Sequence, residues 1–160
     1  MIKREGSINN EQKENDIIKI ITNNKLLIYT VDFYGQNILF LAVKYKLYKT
    51  ISKIIQFGAN VNLKDFKGRT PLHFAVKNND ITAITILFYY LADPTLKDSN
   101  EKTSFDYIIK NSSYDNYLIK ELLIRCKIIR KLNKYHSWKE YDIYVRRGIQ
   151  YYLKHNISKE

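Results

Sequence analysis

The chain of 160 residues contains little cysteine, proline or glycine: one, two and five residues, respectively. Its single cysteine, Cys126, cannot form an internal disulfide, which suits a reducing compartment. With so little proline and glycine, no segment has the composition of a flexible linker. Hydrophobic residues make up 45% of the chain, which is enough for the continuous core of one domain.

Long apolar segments are also absent from the sequence. Wholly apolar runs, such as residues 38–43, are much shorter than the roughly 18 residues of a membrane-spanning helix. The N-terminal sequence M-I-K-R-E-G-S-I-N-N lacks the apolar core of a signal peptide. We therefore expect no transmembrane segment and a cytoplasmic location.

The sequence lacks the short motifs that accompany many enzymatic and metal-binding sites. Neither G-x-x-x-x-G-K nor G-x-G-x-x-G occurs, and His136 and His155 have no partners at metal-ligand spacing. Cys126 lies among leucines and isoleucines, which indicates a buried, unreactive thiol. We therefore expect a protein that is not an enzyme and that needs neither a cofactor nor a metal ion.

The chain does contain an internal repeat with a period of 33 residues. A fixed period of about 20 to 50 residues marks a solenoid, in which each unit buries its apolar face against its neighbours. The matching positions are Gly35 and Gly68; Asp32, Asp65 and Asp98; Ala59 and Ala92; and Thr70 and Thr103.

The clearest unit, residues 65–97, begins with the sequence D-F-K-G-R-T-P-L-H-F-A. Its motif D-x-x-G-x-T-P-L-H-x-A is long and gapless, and it resembles the ankyrin repeat. The resemblance implies an all-α solenoid of helix-turn-helix units with β-hairpin loops. It also implies that His73 forms hydrogen bonds that connect adjacent units, and that it does not bind a ligand.

Local physical chemistry supports two helices within this unit. Thr70 is suited to be an N-cap, and Pro71 follows at the first helical position, where its missing N–H costs little. Helical spacing then predicts a buried face in each helix. Its members are Leu72, Ala75 and Val76 in the first helix, and Ile84, Leu87 and Phe88 in the second.

The same register divides the chain into five segments. These are a polar N-terminus with a partial capping repeat (residues 1–31), two ankyrin repeats (residues 32–64 and 65–97), a degenerate repeat (residues 98–126) and a basic C-terminal helical cap (residues 127–160). Asn37 replaces the capping threonine, and Glu101 replaces the turn glycine of the degenerate repeat. Thr103 and Asp106 have capping-box spacing. The N-terminal residues that match second-helix positions are Ile17, Ile18 and Ile21.

Residues 127–160 have one long helical pattern in place of the repeat. Ser137 and Glu140 have capping-box spacing near its start. Because terminal repeats need a covering element, the pattern predicts a helix that caps the open end of the solenoid. A homodimer contact and a docking helix for a partner are the alternatives.

The resemblance also implies that a partner contacts the hairpin tips and the exposed face of the first helix of each unit. Carried over by position, these residues are Phe33, Tyr34, Gln36, Lys44 and Tyr45; Phe66, Lys67, Arg69, Lys77 and Asn78; and Ser99, Asn100, Lys102, Lys110 and Asn111. Lysines one period apart (44, 77 and 110) predict a ladder beside the aromatic tips. This composition suits a protein partner with acidic groups around apolar pockets. The alternative is that the lysines only keep the surface soluble.

A net charge of +11 supports a rival interpretation. Residues 120–160 carry 11 basic and 4 acidic side chains, so +7 of the excess lies there (11 − 4). Basic C-terminal helices could bind nucleic acid or an anionic membrane surface. No nucleic-acid-binding motif accompanies them, so a protein partner is the first prediction. Short ankyrin proteins include host-directed effectors, and the resemblance therefore makes the host cytoplasm an alternative location.

Overall fold

A computed structural model of the chain describes residues 10–108 and residue 124. Five α-helices form in this part of the chain: α1 (Asn10–Asn23), α2 (Ile38–Lys44), α3 (Tyr48–Gln56), α4 (Pro71–Lys77) and α5 (Ile81–Tyr89). Two short 3₁₀ helices span Lys25–Tyr29 and Ser104–Tyr107. Within the described residues the β-structure is limited to an isolated antiparallel bridge between Val31 and Asn37. The predicted all-α class is confirmed.

Each unit begins with a tight turn that is built around an aspartate. The backbone N–H of Asp65 donates to the carbonyl of Arg69 at 2.9 Å, and the N–H of Gly68 donates to the carbonyl of Asp65 at 2.8 Å. The Asp65 carboxylate accepts from the N–H groups of Lys67 and Arg69. The same bonds recur at Asp32 and Asp98, which explains why the aspartate follows the period.

Successive turns are connected through their backbones. The N–H of Phe66 donates to the carbonyl of Tyr34 at 3.0 Å, and the N–H of Ser99 donates to the carbonyl of Lys67 at 2.9 Å. Gly68 has a φ of +72°, and a Cβ added there would lie 2.9 Å from the nitrogen of Ser99. Only glycine combines this conformation with so close an approach. The three turns therefore form one continuous edge of the molecule.

The helices stack in two layers. The first layer contains α2, α4 and the Ser104–Tyr107 helix, which pack against one another in that order. The second contains α1, α3 and α5, and the layers meet where α2 packs on α3 and α4 on α5. The predicted inward residues Leu72, Ala75, Val76, Ile84, Leu87 and Phe88 are all buried in the shared core. Their apolar faces are covered by neighbouring units, as a repeat architecture requires.

Polar caps define where the helices begin. Asn37 caps α2 by accepting from the N–H of Leu39, and Asp80 caps α5 by accepting from the N–H of Ala83. Thr70 is the N-cap of α4 and precedes Pro71, as predicted, and it also forms a capping box with His73. The Tyr48 hydroxyl donates to both carboxylate oxygens of Asp80 at 3.2 Å. Burial, together with the charge of Asp80, raises the pKa of Tyr48 to about 12.

The two ends of the array depart from the regular unit. At the N-terminal end, α1 packs against α3, with Ile21 buried and Ile17 and Ile18 partly buried. In the degenerate repeat, the predicted capping box of Thr103 and Asp106 is present at the start of the short helix. The helix that follows within the described residues is the short 3₁₀ helix Ser104–Tyr107. Lys110, Asn111, Cys126 and the C-terminal helical pattern lie outside the described residues.

Candidate functional site

The hairpin turns and the first helix layer form one exposed surface, which we call the inner surface. It is defined by the exposed side chains of the three turns (32–37, 65–70 and 98–103) and of α2, α4 and the Ser104–Tyr107 helix. Thirteen of the fifteen residues that sequence analysis assigned to a partner lie among the described residues, and all thirteen are exposed or partly exposed.

The turns present three aromatic side chains to solvent. Phe33 is 89% exposed, Phe66 is 76% exposed and Tyr34 is also exposed. The rings of Phe33 and Tyr34 meet edge to face, with 5.7 Å between their centroids. Removing such large apolar rings from water lowers the free energy, and exposed aromatic rings of this kind are a common feature of binding surfaces.

Phe66 is held in place although it is exposed. Its backbone N–H is bonded to the Tyr34 carbonyl. Its ring lies against Gly35, where an added Cβ would come within 2.6 Å of the Phe66 Cδ1 atom. The ring therefore fills the space that the missing side chain of Gly35 leaves open, and this contact restricts where the ring can lie.

The helix positions that were assigned to a partner are also exposed. Lys44 and Tyr45 lie at the end of α2, and Lys77 and Asn78 lie at the equivalent positions of α4. The Lys44 Nζ atom is 5.4 Å from the centroid of the Tyr45 ring, a cation–π distance. Lys110, the third member of the predicted ladder, lies outside the described residues.

Arg69 and Gln36 make contacts within the molecule that the sequence did not predict. The Arg69 Nε and Nη2 atoms donate to Oδ2 of Asp65 at 2.9 and 2.7 Å, and Gln36 Nε2 lies 3.4 Å from the same oxygen. The Arg69 guanidinium also lies over the Phe74 ring, 4.5 Å from its centroid. Arg69 therefore stabilises its own turn in addition to lining the inner surface.

Sequence analysis did not assign Leu41, Phe74 and Tyr107 to this surface. Leu41 is exposed on α2, and Phe74 and Tyr107 line a shallow cleft on α4 and the Ser104–Tyr107 helix together with Arg69, His73 and Lys77. These residues lie at the same register position, 33 residues apart, and three residues before each lysine of the predicted ladder. Since residues three apart share a helix face, the spacing could have identified them.

A family model for ankyrin repeats in three copies matches residues 8–98 of the chain. The chain belongs to the ankyrin repeat family. The matched region ends at Asp98, the first residue of the repeat that sequence analysis described as degenerate. No curated protein matches the chain.

The histidine of the ankyrin motif connects two units, as the resemblance implied. The N–H of Thr70 donates to Nδ1 of His73 at 3.1 Å, so the proton of the neutral ring belongs on Nε2. Nε2 lies 3.2 Å from the carbonyl oxygen of Lys102 in the next unit and donates to it. Burial lowers the pKa of His73 below its usual 6.5, although the Lys102 carbonyl favours the protonated ring.

The inner surface of these ankyrin repeats carries exposed charges of both signs, with an excess of basic residues. Asp32, Glu101 and Asp106 are exposed, whereas Asp65 and Asp98 are buried in their turns. The salt bridges among the described residues are Lys49–Glu11, Arg69–Asp65 and Lys97–Glu101. The inner-surface lysines, which take part in none of these three, are Lys44, Lys67, Lys77 and Lys102.

Burial disfavours the charged form of the Asp98 carboxyl group, but hydrogen bonds outweigh this effect. These bonds come from the Tyr107 hydroxyl and from the N–H groups of Lys102 and Asn100, and the pKa of Asp98 is lowered. Asp98 therefore stays ionised while its oxygens are occupied by internal donors.

In residues 10–108 and 124, no group of three or more histidine, cysteine or acidic side chains could hold a metal ion. None of the helices that the structure describes has the length and apolar character needed to cross a membrane.

Proposed function

We propose that the chain is a non-enzymatic module that binds a protein partner through the inner surface. Ankyrin repeats are generally protein–protein interaction modules and form a non-catalytic fold. The observation that carries the proposal is the exposure of Phe33, Tyr34 and Phe66 on turns that are fixed by backbone and carboxylate hydrogen bonds.

The arrangement of these rings favours a stable complex. Aromatic side chains are enriched among the residues that dominate binding energy, and rigid presentation reduces the entropy lost on association. The lysines around them add a positive field that accelerates encounter with an acidic partner. We therefore expect a partner surface with apolar pockets that are surrounded by carboxylates. A cytoplasmic location, in the host if the protein is exported, agrees with such a partner.

The partner can be isolated with the full chain as bait and identified by mass spectrometry. Its affinity is then compared for the wild type and for a variant with Phe33→Ala, Tyr34→Ala and Phe66→Ala. We expect the affinity to fall by more than about 30-fold, because hot-spot aromatics contribute about 2 kcal/mol or more when they act together.

A matched variant tests the rival, a polyanion bound by the basic C-terminal segment. Arg125→Gln, Arg130→Gln and Lys131→Gln remove charge from that segment and leave the aromatic tips intact. On our proposal this variant binds the partner about as well as the wild type does. If it loses binding while the aromatic variant does not, and the affinity falls steeply with salt, the basic segment is the site.

A further inference from the structure

The shallow cleft between α4 and the Ser104–Tyr107 helix is lined by two aromatic residues, a histidine and two cationic residues. Phe74 and Tyr107 supply the aromatic surface, and Arg69 and Lys77 supply the positive charges. We propose that this cleft binds a carboxylate side chain of an acidic partner peptide, with an adjacent apolar residue packed on Phe74. The proposal rests on the protein-binding function argued above, and it assigns one subsite within the inner surface.

Arg69 is positioned for this role by its internal contacts. Its Nε and Nη2 atoms are bonded to Asp65, whose carboxylate side chain is buried, and its guanidinium plane lies over Phe74. A guanidinium has five N–H donors, and these bonds use two of them. The two N–H groups on Nη1 are not used in these bonds, and they donate no hydrogen bond among the described residues. Arg69 therefore offers fixed donors that need little further ordering to bind a carboxylate.

Lys77 supplies a second cation from the same helix. It lies three residues after Phe74, is exposed, and takes part in no salt bridge among the described residues. Asp65 and Asp98 are the buried carboxylates of the flanking turns, and both are occupied by internal donors. Lys77 therefore has no salt-bridge partner among the described residues that an external anion would have to displace.

The composition of the cleft favours a peptide carboxylate over the phosphates of nucleic acid. Affinity for nucleic acid grows with the number of cations that follow the phosphate backbone. This cleft has two cations, and Asp65 already compensates one of them. Its remaining lining is aromatic, with His73 buried and favoured in its neutral form. One carboxylate next to an apolar side chain matches these features.

The test uses the full chain and a blocked peptide of sequence GSELFEGS. Its matched control, GSQLFQGS, has the same apolar residues without the carboxylates. Titration into the isotopically labelled protein is followed by NMR, using the backbone amides and the Nε–H of Arg69. We expect the acidic peptide to shift the signals of Arg69, Phe74 and Lys77, and the control peptide to bind several-fold more weakly.

Two lysine variants separate a specific subsite from general charge attraction. Lys77→Gln removes one cation of the cleft, and we expect it to weaken acidic-peptide binding by up to about fivefold, the upper end for exposed ion pairs. Lys53→Gln is the control, because the Lys53 Nζ atom lies over Phe57, 5.1 Å from its ring centroid, and Phe57 follows α3 in the second layer. We expect Lys53→Gln to leave the affinity unchanged.

Several outcomes would overturn the proposal. They are absence of binding by the acidic peptide, equal binding of the two peptides, and equal effects of the two lysine variants. A short DNA duplex that shifts the same signals at lower concentration would instead identify a phosphate site. If the cleft fails while the aromatic variant still loses its isolated partner, the protein-binding function stands and only this subsite is wrong.

Discussion

Truncation of Leu72 to alanine tests how the repeats depend on one another. Leu72 is 0% exposed and belongs to α4, the helix that packs against α2, α5 and the Ser104–Tyr107 helix. A cavity at this position is therefore surrounded by elements of three consecutive units. Because these elements are fixed by their own turns and caps, they can collapse into the cavity only in part.

The size of the effect follows from this burial. Leucine to alanine removes three carbon atoms, at about 0.8 kcal/mol for each buried methylene equivalent, and the remaining cavity adds to this cost. We expect the free energy of unfolding to fall by about 3 kcal/mol, within the range of about 2 to 5 kcal/mol for buried leucines. For a chain of this size, that loss lowers the thermal midpoint by roughly 6 to 12 °C.

Thermal melts followed by circular dichroism measure the change. Leu41→Ala is the matched control, because Leu41 is a first-helix leucine of the preceding unit that is 38% exposed. We expect the control to cost less than about half as much, since part of its side chain is already in water. A Leu72→Ala midpoint equal to that of the wild type, or to that of the control, would refute the packing described for α4.

Three other changes test separate parts of the account. Burial lowers the pKa of His73 below 6.5, so the free energy of unfolding is expected to fall as the pH drops through 6.5 and below, and urea melts of a His73→Gln variant are expected to lose this part of the pH dependence. Lys46 has a φ of 56°, so Lys46→Gly is expected to stabilise the fold by up to about 1 kcal/mol. Lys44 is the last residue of α2, and Lys44→Gly is expected to give no such gain; denaturant melts that rank the two variants otherwise would contradict the turn geometry. Deletion of residues 137–155 is expected to lower the thermal midpoint and cause aggregation if this segment caps the array, and a stable, monomeric truncation with full partner binding would exclude both a cap and a docking helix.

The sequence predicts much of the fold because the repeat places strict demands on a few positions. Asp65 must accept backbone bonds within its turn, and Gly68 must combine a positive φ with a close approach to the next turn. Because each turn has these requirements, aspartate and glycine tend to recur with the period of 33 residues. Thr70 marks the start of α4, and the spacing of the buried apolar residues predicts both α4 and α5.

The candidate surface is less predictable, because it depends on contacts between side chains that are not fixed by the repeat. Arg69 was assigned to a partner, yet its guanidinium is bonded to Asp65 and packed on Phe74. Phe74 and Tyr107 occupy a position between the buried and the exposed faces of the first helix. Their apolar character alone does not distinguish a core residue from the base of a cleft. The register places them on the helix face of the lysines, but the contacts that form the cleft come from the arrangement of neighbouring units.

The turn of the degenerate repeat is also harder to predict from the sequence. Glu101 adopts a φ of 59° at the position where the preceding units have glycine. Its turn nevertheless has the same aspartate hydrogen bonds, because Asp98 supplies them in the same geometry. Loss of the consensus glycine therefore weakens the sequence signal more than it changes the turn.

Hydrogen exchange of the full chain, measured with and without its isolated partner, tests the central claim most directly. If the partner binds the inner surface, the amides that become protected are expected to lie in the turns at residues 32–37 and 65–70 and along α4. Protection confined to residues 120–160, with unchanged exchange in these turns, would contradict binding through the inner surface.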